Sequence, residues 1–451
     1  MKAVILAGGK GSRIFPFDKY WQKAFLPVGN KPNTLRLIEI LNRVGVKEID
    51  VLAAYKSGCA RHALRNTAGI RIVETDGSLG ETLRTLCTPD GWTLVIHGDI
   101  YITEQDLARM TEIPSGNASA AALLQSDAVA RGGAAVQGSD AGFFAGEWIC
   151  AKAGEKTVEA FWGHPRAAYA NARSCGVFLL GPQALPYLTA APPHFDNVPV
   201  GGMPPEGFWP ENSLQTALND GLSVSARYIK SSFVDIDFPW DYLEANQLCC
   251  IDEAGSIKGG KPVLGEDCQI GEGVVFRGNC IVGGGTVIRN NVVIGENCII
   301  GRNCVLEDYC KIAANTVIGN NCRLGFTAEA GGVFLDGFCA VHHCQLYGIA
   351  GTAVDIGAGT TGSTLRFDDA EVSTLVHGKR YTHPLSKMNF IGDYSRTGVN
   401  TSLLPGVRIG ANCAIAPGVV LGRDLPHNTL LALKQDLAEK EWGPHKYGWT
   451  V

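Results

Sequence analysis

An α/β domain followed by a repeat coil is the fold class that the sequence predicts, and three observations predict it. The chain's 451 residues exceed what one ordinary hydrophobic core organises, so two or three domains are expected. Through about residue 250, apolar strand-like runs alternate with helical segments, the pattern of a mostly parallel sheet covered on both faces. From Cys268 the period changes to six residues and holds that beat for ten successive units. The expected division is residues 1–255, 256–432 and a C-terminal tail over 433–451.

In chain order, residues 2–7 (KAVILA), 49–54 (IDVLAA), 70–74 (IRIVE), 92–99 (WTLVIHGD), 119–124 (SAAALL) and 175–181 (CGVFLLG) read as strands, being short and nearly continuously apolar. Residues 33–46 (NTLRLIEILNRVGV) read as a helix because their apolar positions recur at helical spacing, and residues 79–87 (LGETLRTLC) read as a second one. Ligands of such a sheet bind at the carboxyl ends of its strands, where a glycine turn and Asp99 both fall.

That turn is the richest stretch of the chain. The first strand runs from Ala7 straight into Gly8, Gly9 and Gly11, then Ser12 and Arg13, with Lys23 ten residues further on. Glycines at a strand end let several backbone N–H groups approach a phosphate closely. Arg13 offers a planar fork for phosphoryl oxygens and Lys23 a mobile point charge. The spacing is neither that of the P-loop nor G-x-G-x-x-G.

LAGG, then G-S-R, Pro16, Lys23 and Leu26-Pro27-Val28 resemble the signature of sugar-1-phosphate nucleotidylyltransferases, although Phe15, Asp18, Lys19 and Gln22 depart from it. The resemblance implies a Rossmann-like nucleotidyltransferase domain that uses Mg²⁺ to make an NDP-sugar and pyrophosphate from an NTP and a sugar 1-phosphate. It implies phosphate contacts from Ala7, Gly8, Gly9, Gly11 and Ser12, with Arg13 and Lys23 as catalytic cations. Asp99, where an apolar strand breaks into Gly98-Asp99, resembles the family's metal-binding Asp. VDIDFPWDYLEANQ resembles DIGxPxDYxxAN, which implies Asp235 as the second ligand, in preference to Asp237, a third carboxylate where the family has glycine. Asp241 in the same stretch reads as part of a helix N-cap. The base would rest near Gly80 and Glu81, whose segment SLGETLRTL resembles LGTAGAL. On the sugar side the resemblance points to Gly176 and Gly133, and to His164, which stands where the family has the Lys of EKP. Catalysis would then be positioning and electrostatics without a covalent intermediate.

In the repeat, Cys268, Val274, Cys280, Thr286, Val292, Cys298, Cys304, Cys310, Thr316 and Cys322 are each followed two residues later by an aliphatic or aromatic one, from Ile270 to Leu324. The beat resumes at Val407, Cys413 and Val419. Glycine follows the aliphatic residue in six units and reads as a supplier of tight corners. The pattern resembles the hexapeptide-repeat left-handed β-helix, three units per coil, which implies a homo-oligomer, a trimer or a multiple of one. The cysteines are expected to stack inside the coil and bind no metal, since their spacing does not let ligands converge.

Residues 356–372 and 378–410 also resemble the acyltransferase half of bifunctional uridylyltransferase/acetyltransferases. His342, His343 and Tyr347 do not stand at the catalytic offsets from Gly357, Thr364 replaces an Asn, and Lys387 matches an acceptor-site lysine. A bifunctional enzyme is therefore one alternative to the favoured reading. A non-catalytic regulatory subunit of the same shape is another, but the chain keeps Arg13, Lys23, Asp99 and Asp235.

A net charge of −5 argues against a nucleic-acid partner, and no stretch of about 18 apolar residues offers a membrane span. The opening MKAVILAGGKG has too short an apolar run for a signal peptide, so the fifteen cysteines are expected in a reduced, cytoplasmic protein.

Overall fold

The computed structural model describes residues 1–75, 78–126, 148–188 and 208–443. β1 (Lys2–Ala7) lies inside a nine-stranded sheet, flanked in parallel by β2 (Glu48–Ala53) and β4 (Thr93–His97), with β3 (Ile70–Glu74) parallel beyond β2. Their crossovers are α1 (Asn33–Arg43), α2 (Ser57–Leu64) and α3 (Leu79–Leu86). α1 buries Leu37, Ile38, Ile40 and Leu41, the helical stripe that its sequence carries.

The sheet is mixed and not mostly parallel. β9 (Ala172–Leu180) runs antiparallel to β4 and also to β6 (Ala118–Ser126), and β7 (Ile149–Ala153) and β8 (Val158–Gly163) continue antiparallel to the edge. A central strand buried on both faces is apolar whichever way it points, so CGVFLLG carries no mark of direction. β10 (Ser223–Tyr228) lies parallel to β6, and α5 (Pro210–Asn219) covers β8 and β10. Beside this sheet, β5 (Ile100–Ile102), which α4 (Glu104–Met110) follows, pairs antiparallel with β11 (Phe233–Asp235), and α6 (Pro239–Glu253) leads out toward the coil. Asp241 caps α6 as the sequence predicts, accepting from the Phe238 N–H at 2.8 Å.

The coil is a parallel β-helix. Cys280 pairs with Cys298, Val287 with Val305 and Ile299 with Val317, a rung of 18 residues or three hexapeptides. Inward cysteines and threonines donate to the next rung: Thr286 to the Gly301 carbonyl at 2.9 Å, Cys298 to Ala313 at 3.1 Å and Cys304 to Gly319 at 3.0 Å. All fifteen cysteines are free thiols. The beat lapses because rungs shorten: Val317 pairs with Val333, two residues early, and two short strands fuse into the run Glu329–Phe334. Coil strands nevertheless continue to Leu430–Leu431. One insertion, between the strands Thr361–Gly362 and Asn389–Ile391, carries an antiparallel hairpin of Ser373–Val376 and Lys379–Thr382.

The repeat glycines do a different job from the one expected. Gly283, Gly295 and Gly301 lack a left-handed φ; a Cβ on them would lie 2.6, 2.4 and 2.4 Å from backbone of the next rung, so they allow close stacking. The left-handed corners come one residue before inward side chains, at Asn291, Asn297, Asn303, Asn315 and Asn321 with φ of 55 to 56°, and also at Asp267, Gly273, Gly285 and Tyr309. Asparagine tolerates that conformation.

The coil docks on the α/β domain through a shared apolar cluster that includes Ile14, Phe17, Tyr101 and Tyr242 on one side and Ile299, Val317, Ile349 and Phe390 on the other. No helix among the described residues is long and apolar enough to cross a membrane. Gly301→Ala should destabilise the protein by about 1–3 kcal/mol by overpacking the rungs, whereas Asn303→Gly, at a corner that glycine adopts freely, should cost less than about 1 kcal/mol. Denaturant unfolding of both variants checks the assignment, and equal losses would contradict it.

Candidate active site

The glycine turn leaves β1 with each glycine constrained differently. A Cβ on Gly8 would come within 3.2 Å of the Ala54 Cβ, and Gly11 is left-handed at φ 61° against Lys23. Gly9 faces open space. Buried Gln22 staples the loop, donating to the Ala7 carbonyl at 2.8 Å and the Gly9 carbonyl at 3.3 Å, and accepting from the Ala24 N–H at 2.7 Å. The sequence marks Gln22 only as a departure from the motif.

Lys23 and Arg13 meet the carboxylates. The Lys23 ammonium lies 2.7 Å from Asp99 and 2.6 Å from Asp237, and Arg13 lies 2.7 Å from the other oxygen of Asp237. Asp99 and Asp235 are neighbours because β5 and β11 pair, with the Ile236 N–H donating to the Asp99 carbonyl at 2.9 Å. Burial opposes the charge of Lys23, yet Asp237 and Asp99 hold its pKa above the ordinary lysine value. Asp237, although buried, is held below the usual carboxylate range by Lys23 and Arg13, while burial and the charge of Asp237 push Asp235 up. The sequence offers Asp237 only as a third carboxylate and a rival ligand to Asp235; its pairing with both cations was not foreseen.

Asp99 and Asp235 thus present oxygen donors from adjoining strand ends in a pocket with excess negative charge, a donor set that fits a hard divalent cation. Among the described residues, the group of three metal-capable side chains whose ligand atoms converge within 4.8 Å of one another is a different one, Asp241, Glu244 and His383. There the His383 Nδ1 accepts from the Leu385 N–H at 3.2 Å, which leaves the proton on Nε2, 3.8 Å from Glu244. Nε2 is therefore a donor and not a ligand.

The remaining expected residues scatter around this centre. Gly80 and Glu81 lie in the first turn of α3, where Ser78 accepts from the Glu81 N–H at 3.3 Å, and Leu79 would stand 3.9 Å from a Cβ on Gly8. Gly176 is left-handed, and a Cβ there would strike His97 at 2.7 Å, so packing alone requires glycine. Next to His97, buried Glu211 keeps its Oε2 without a hydrogen-bond partner, and burial pushes its carboxyl up. His164 follows the edge strand β8 in a left-handed turn, its N–H donating to the Trp148 carbonyl at 3.1 Å. Gly133 lies outside the described residues. A cleft of about 640 Å³ lined by Asn30, Lys31, Arg302 and Asp336 sits between the two domains, apart from the carboxylates.

On the coil, His342 and His343 are exposed; the His343 Nδ1 is 2.5 Å from the Thr327 hydroxyl, and Tyr347 donates to Glu329 at 2.5 Å. Thr364 and Lys387 stand near the two ends of the hairpin insertion.

Residues 3–165 match the MobA-like NTP transferase domain, and residues 261–296, 297–332 and 390–423 match the bacterial transferase hexapeptide (six repeats). The chain is 25% identical over 434 residues to the bifunctional sugar-1-phosphate nucleotidylyltransferase/acetyltransferase of Sulfurisphaera tokodaii, covering 91% of this chain and 94% of that one. It is 26% identical over 445 residues to the bifunctional protein GlmU of Methanocaldococcus jannaschii, covering 97% and 98%. The solved inositol-1-phosphate CTP transferase from T. maritima is similar with a TM-score of 0.43 at 14% identity, covering 55% of this chain and 95% of that one.

Burial lowers the His383 pKa to about 4. The unfolded chain, with His near 6.5, binds a proton there that the folded chain does not. This part of the stability is therefore complete above about pH 6.5 and is lost as pH falls toward 4. His383→Phe, which keeps the stacking on Trp240, should show a smaller drop in Tm between pH 7 and 4.5; an unchanged drop would rule His383 out.

Proposed function

Because the chain joins a MobA-like NTP transferase domain to bacterial-transferase hexapeptide repeats, we propose that it transfers a nucleoside monophosphate from an NTP to a sugar 1-phosphate or sugar-like 1-phosphate, releasing pyrophosphate. The observation that carries this reading is the convergence of Arg13, Lys23, Asp99, Asp235 and Asp237 beside the glycine turn. The relatives' names point the same way.

In this reading the acceptor's phosphate oxygen attacks the α-phosphorus in line; a new P–O bond forms as the bond to the β-phosphate oxygen breaks, and pyrophosphate leaves. Open space at Gly9 supports close approach of the triphosphate to backbone N–H groups. Arg13 stabilises charge on the leaving group, and Lys23 steers the attacking phosphate. Mg²⁺, held by Asp99 and Asp235, would shield the negative charge that two phosphates bring together. Asp237 keeps both cations charged and aimed at the turn. A cytoplasmic homo-oligomer assembled through the coil completes the reading.

Five NTPs assayed against several sugar 1-phosphates for pyrophosphate release would identify the base and the acceptor. Asp99→Asn and Asp235→Asn should each lower the rate on the order of 10²-fold or more. Arg13→Ala should lower kcat more than it raises KM for NTP, and Lys23→Ala should act mainly through the acceptor. Near-normal turnover in both Asn variants would sink the metal assignment.

We further infer that the coil does not carry acyl transfer on His342 or His343. His342 and His343 stand off the catalytic offsets from Gly357, and Thr364 offers a single hydroxyl where an amide offers a separate donor and acceptor. Thiol release from acetyl-CoA with glucosamine 1-phosphate should be absent or slight; robust release that His343→Ala abolishes would install the bifunctional reading.

A further inference from the structure

The hairpin that the coil inserts between its rungs reaches the phosphate-facing turn of the other domain. Its two strands, Ser373–Val376 and Lys379–Thr382, are joined by His377-Gly378 with φ of 48 and 80°, the two left-handed residues that a tight hairpin needs. The His377 Nε2 lies 3.1 Å from the Ser12 carbonyl; a carbonyl only accepts, so His377 donates. On the other strand, the Tyr381 ring lies 4.6 Å from the Phe238 ring, and the Arg13 guanidinium stands over that same Phe238 ring at 5.3 Å. Phe238 is the residue after Asp237, which holds Arg13.

The hairpin is itself held near its tip. Arg408, on a coil strand, donates to the Leu375 carbonyl at 2.9 Å, pairs with Asp424 at 3.0 Å and stands 5.5 Å from the Phe15 ring. Coil, hairpin and turn are therefore one connected unit around Arg13.

We propose that this hairpin is a wall of the nucleotidyl-transfer site, with Tyr381 and His377 as positioning residues: Tyr381 orients Arg13 through Phe238, and His377 fixes the turn at Ser12. The inference rests on the nucleotidyl-transfer reading. A coil that served only to assemble copies would have no need of such contacts with Ser12 and Phe238.

The test uses the full chain and pyrophosphate release, with Tm as a control for folding. Tyr381→Ala should lower kcat roughly 10-fold with KM for the acceptor within about twofold, because Arg13 is misaimed where charge develops. Tyr381→Phe, which keeps the ring contact, should restore kcat to within about twofold of wild type. In an Arg13→Ala background, Tyr381→Ala should cost nothing further, since it acts through Arg13. A wild-type kcat in Tyr381→Ala, or a full additive loss in the Arg13→Ala background, would overturn the proposal. Amide hydrogen exchange over residues 8–22 gives a readout independent of turnover: it should quicken in His377→Ala, and unchanged exchange would count against the proposal even if the chemistry is right. Loss of all pyrophosphate release in the wild-type chain, with exchange quickened as expected, would instead refute the reading of the reaction and leave the contact standing.

Discussion

Two cations on one buried carboxylate hold the centre of this protein together. Asp237 accepts from Lys23 and from Arg13 through different oxygens, across 214 and 224 residues of sequence. Charge-assisted bonds of this kind are strong, and they are costly to half-remove because the partner is left charged and desolvated. Through them the turn after β1 is tied to the start of α6, and α6 is in turn packed on the coil. Lys23 also reaches Asp99, so one side chain links the carboxyl ends of two strand systems. With Asp99 and Asp237 on the two cations and Asp235 beside them, the cluster keeps an excess of negative charge, and burial together with Asp237 pushes the Asp235 carboxyl up.

The coil's regularity makes it a firm support for that cluster. Its rungs repeat one hydrogen-bond ladder, and the inward thiols and hydroxyls add a bond to carbonyls at the corners. Rungs approach closely where glycine removes a Cβ, and asparagine takes the left-handed corner. The outer surface is thereby placed with little freedom. Trp21 donates to Asp393 at 3.0 Å, Tyr20 packs edge-on against Tyr394, and His427 lies 3.2 Å from Asp18. The His427 Nδ1 accepts from the Ala411 N–H, which sets the tautomer that donates to Asp18.

Much of this was legible in the sequence because it is local or periodic. Strand alternation, the six-residue beat and the spacing from Gly8 to Lys23 are each short-range patterns dictated by backbone geometry. Strand direction was not legible, since β9 is buried on both faces and apolar throughout. The corner residue of the hexapeptide was misassigned because glycine signals both left-handed backbone and close approach, and only the structure separates the two. The capping role of Asp241 could be read from its place before an apolar helix; the pairing of Asp237 with two cations more than 200 residues away could not.

The positions that depart from the expected motif are informative for the same reason. Phe15 packs edge-on against His427 at 5.1 Å, Asp18 meets His427, Lys19 bonds Asn428, and Gln22 staples the turn from within. Three of these four departures touch the coil. Here that side of the turn is covered by a second domain, and its residues match the surface they meet. The residues at Phe15, Asp18 and Lys19 thus answer to contacts about 400 residues away in sequence, while Gly8, Gly9, Gly11, Arg13 and Lys23 keep the spacing of the motif.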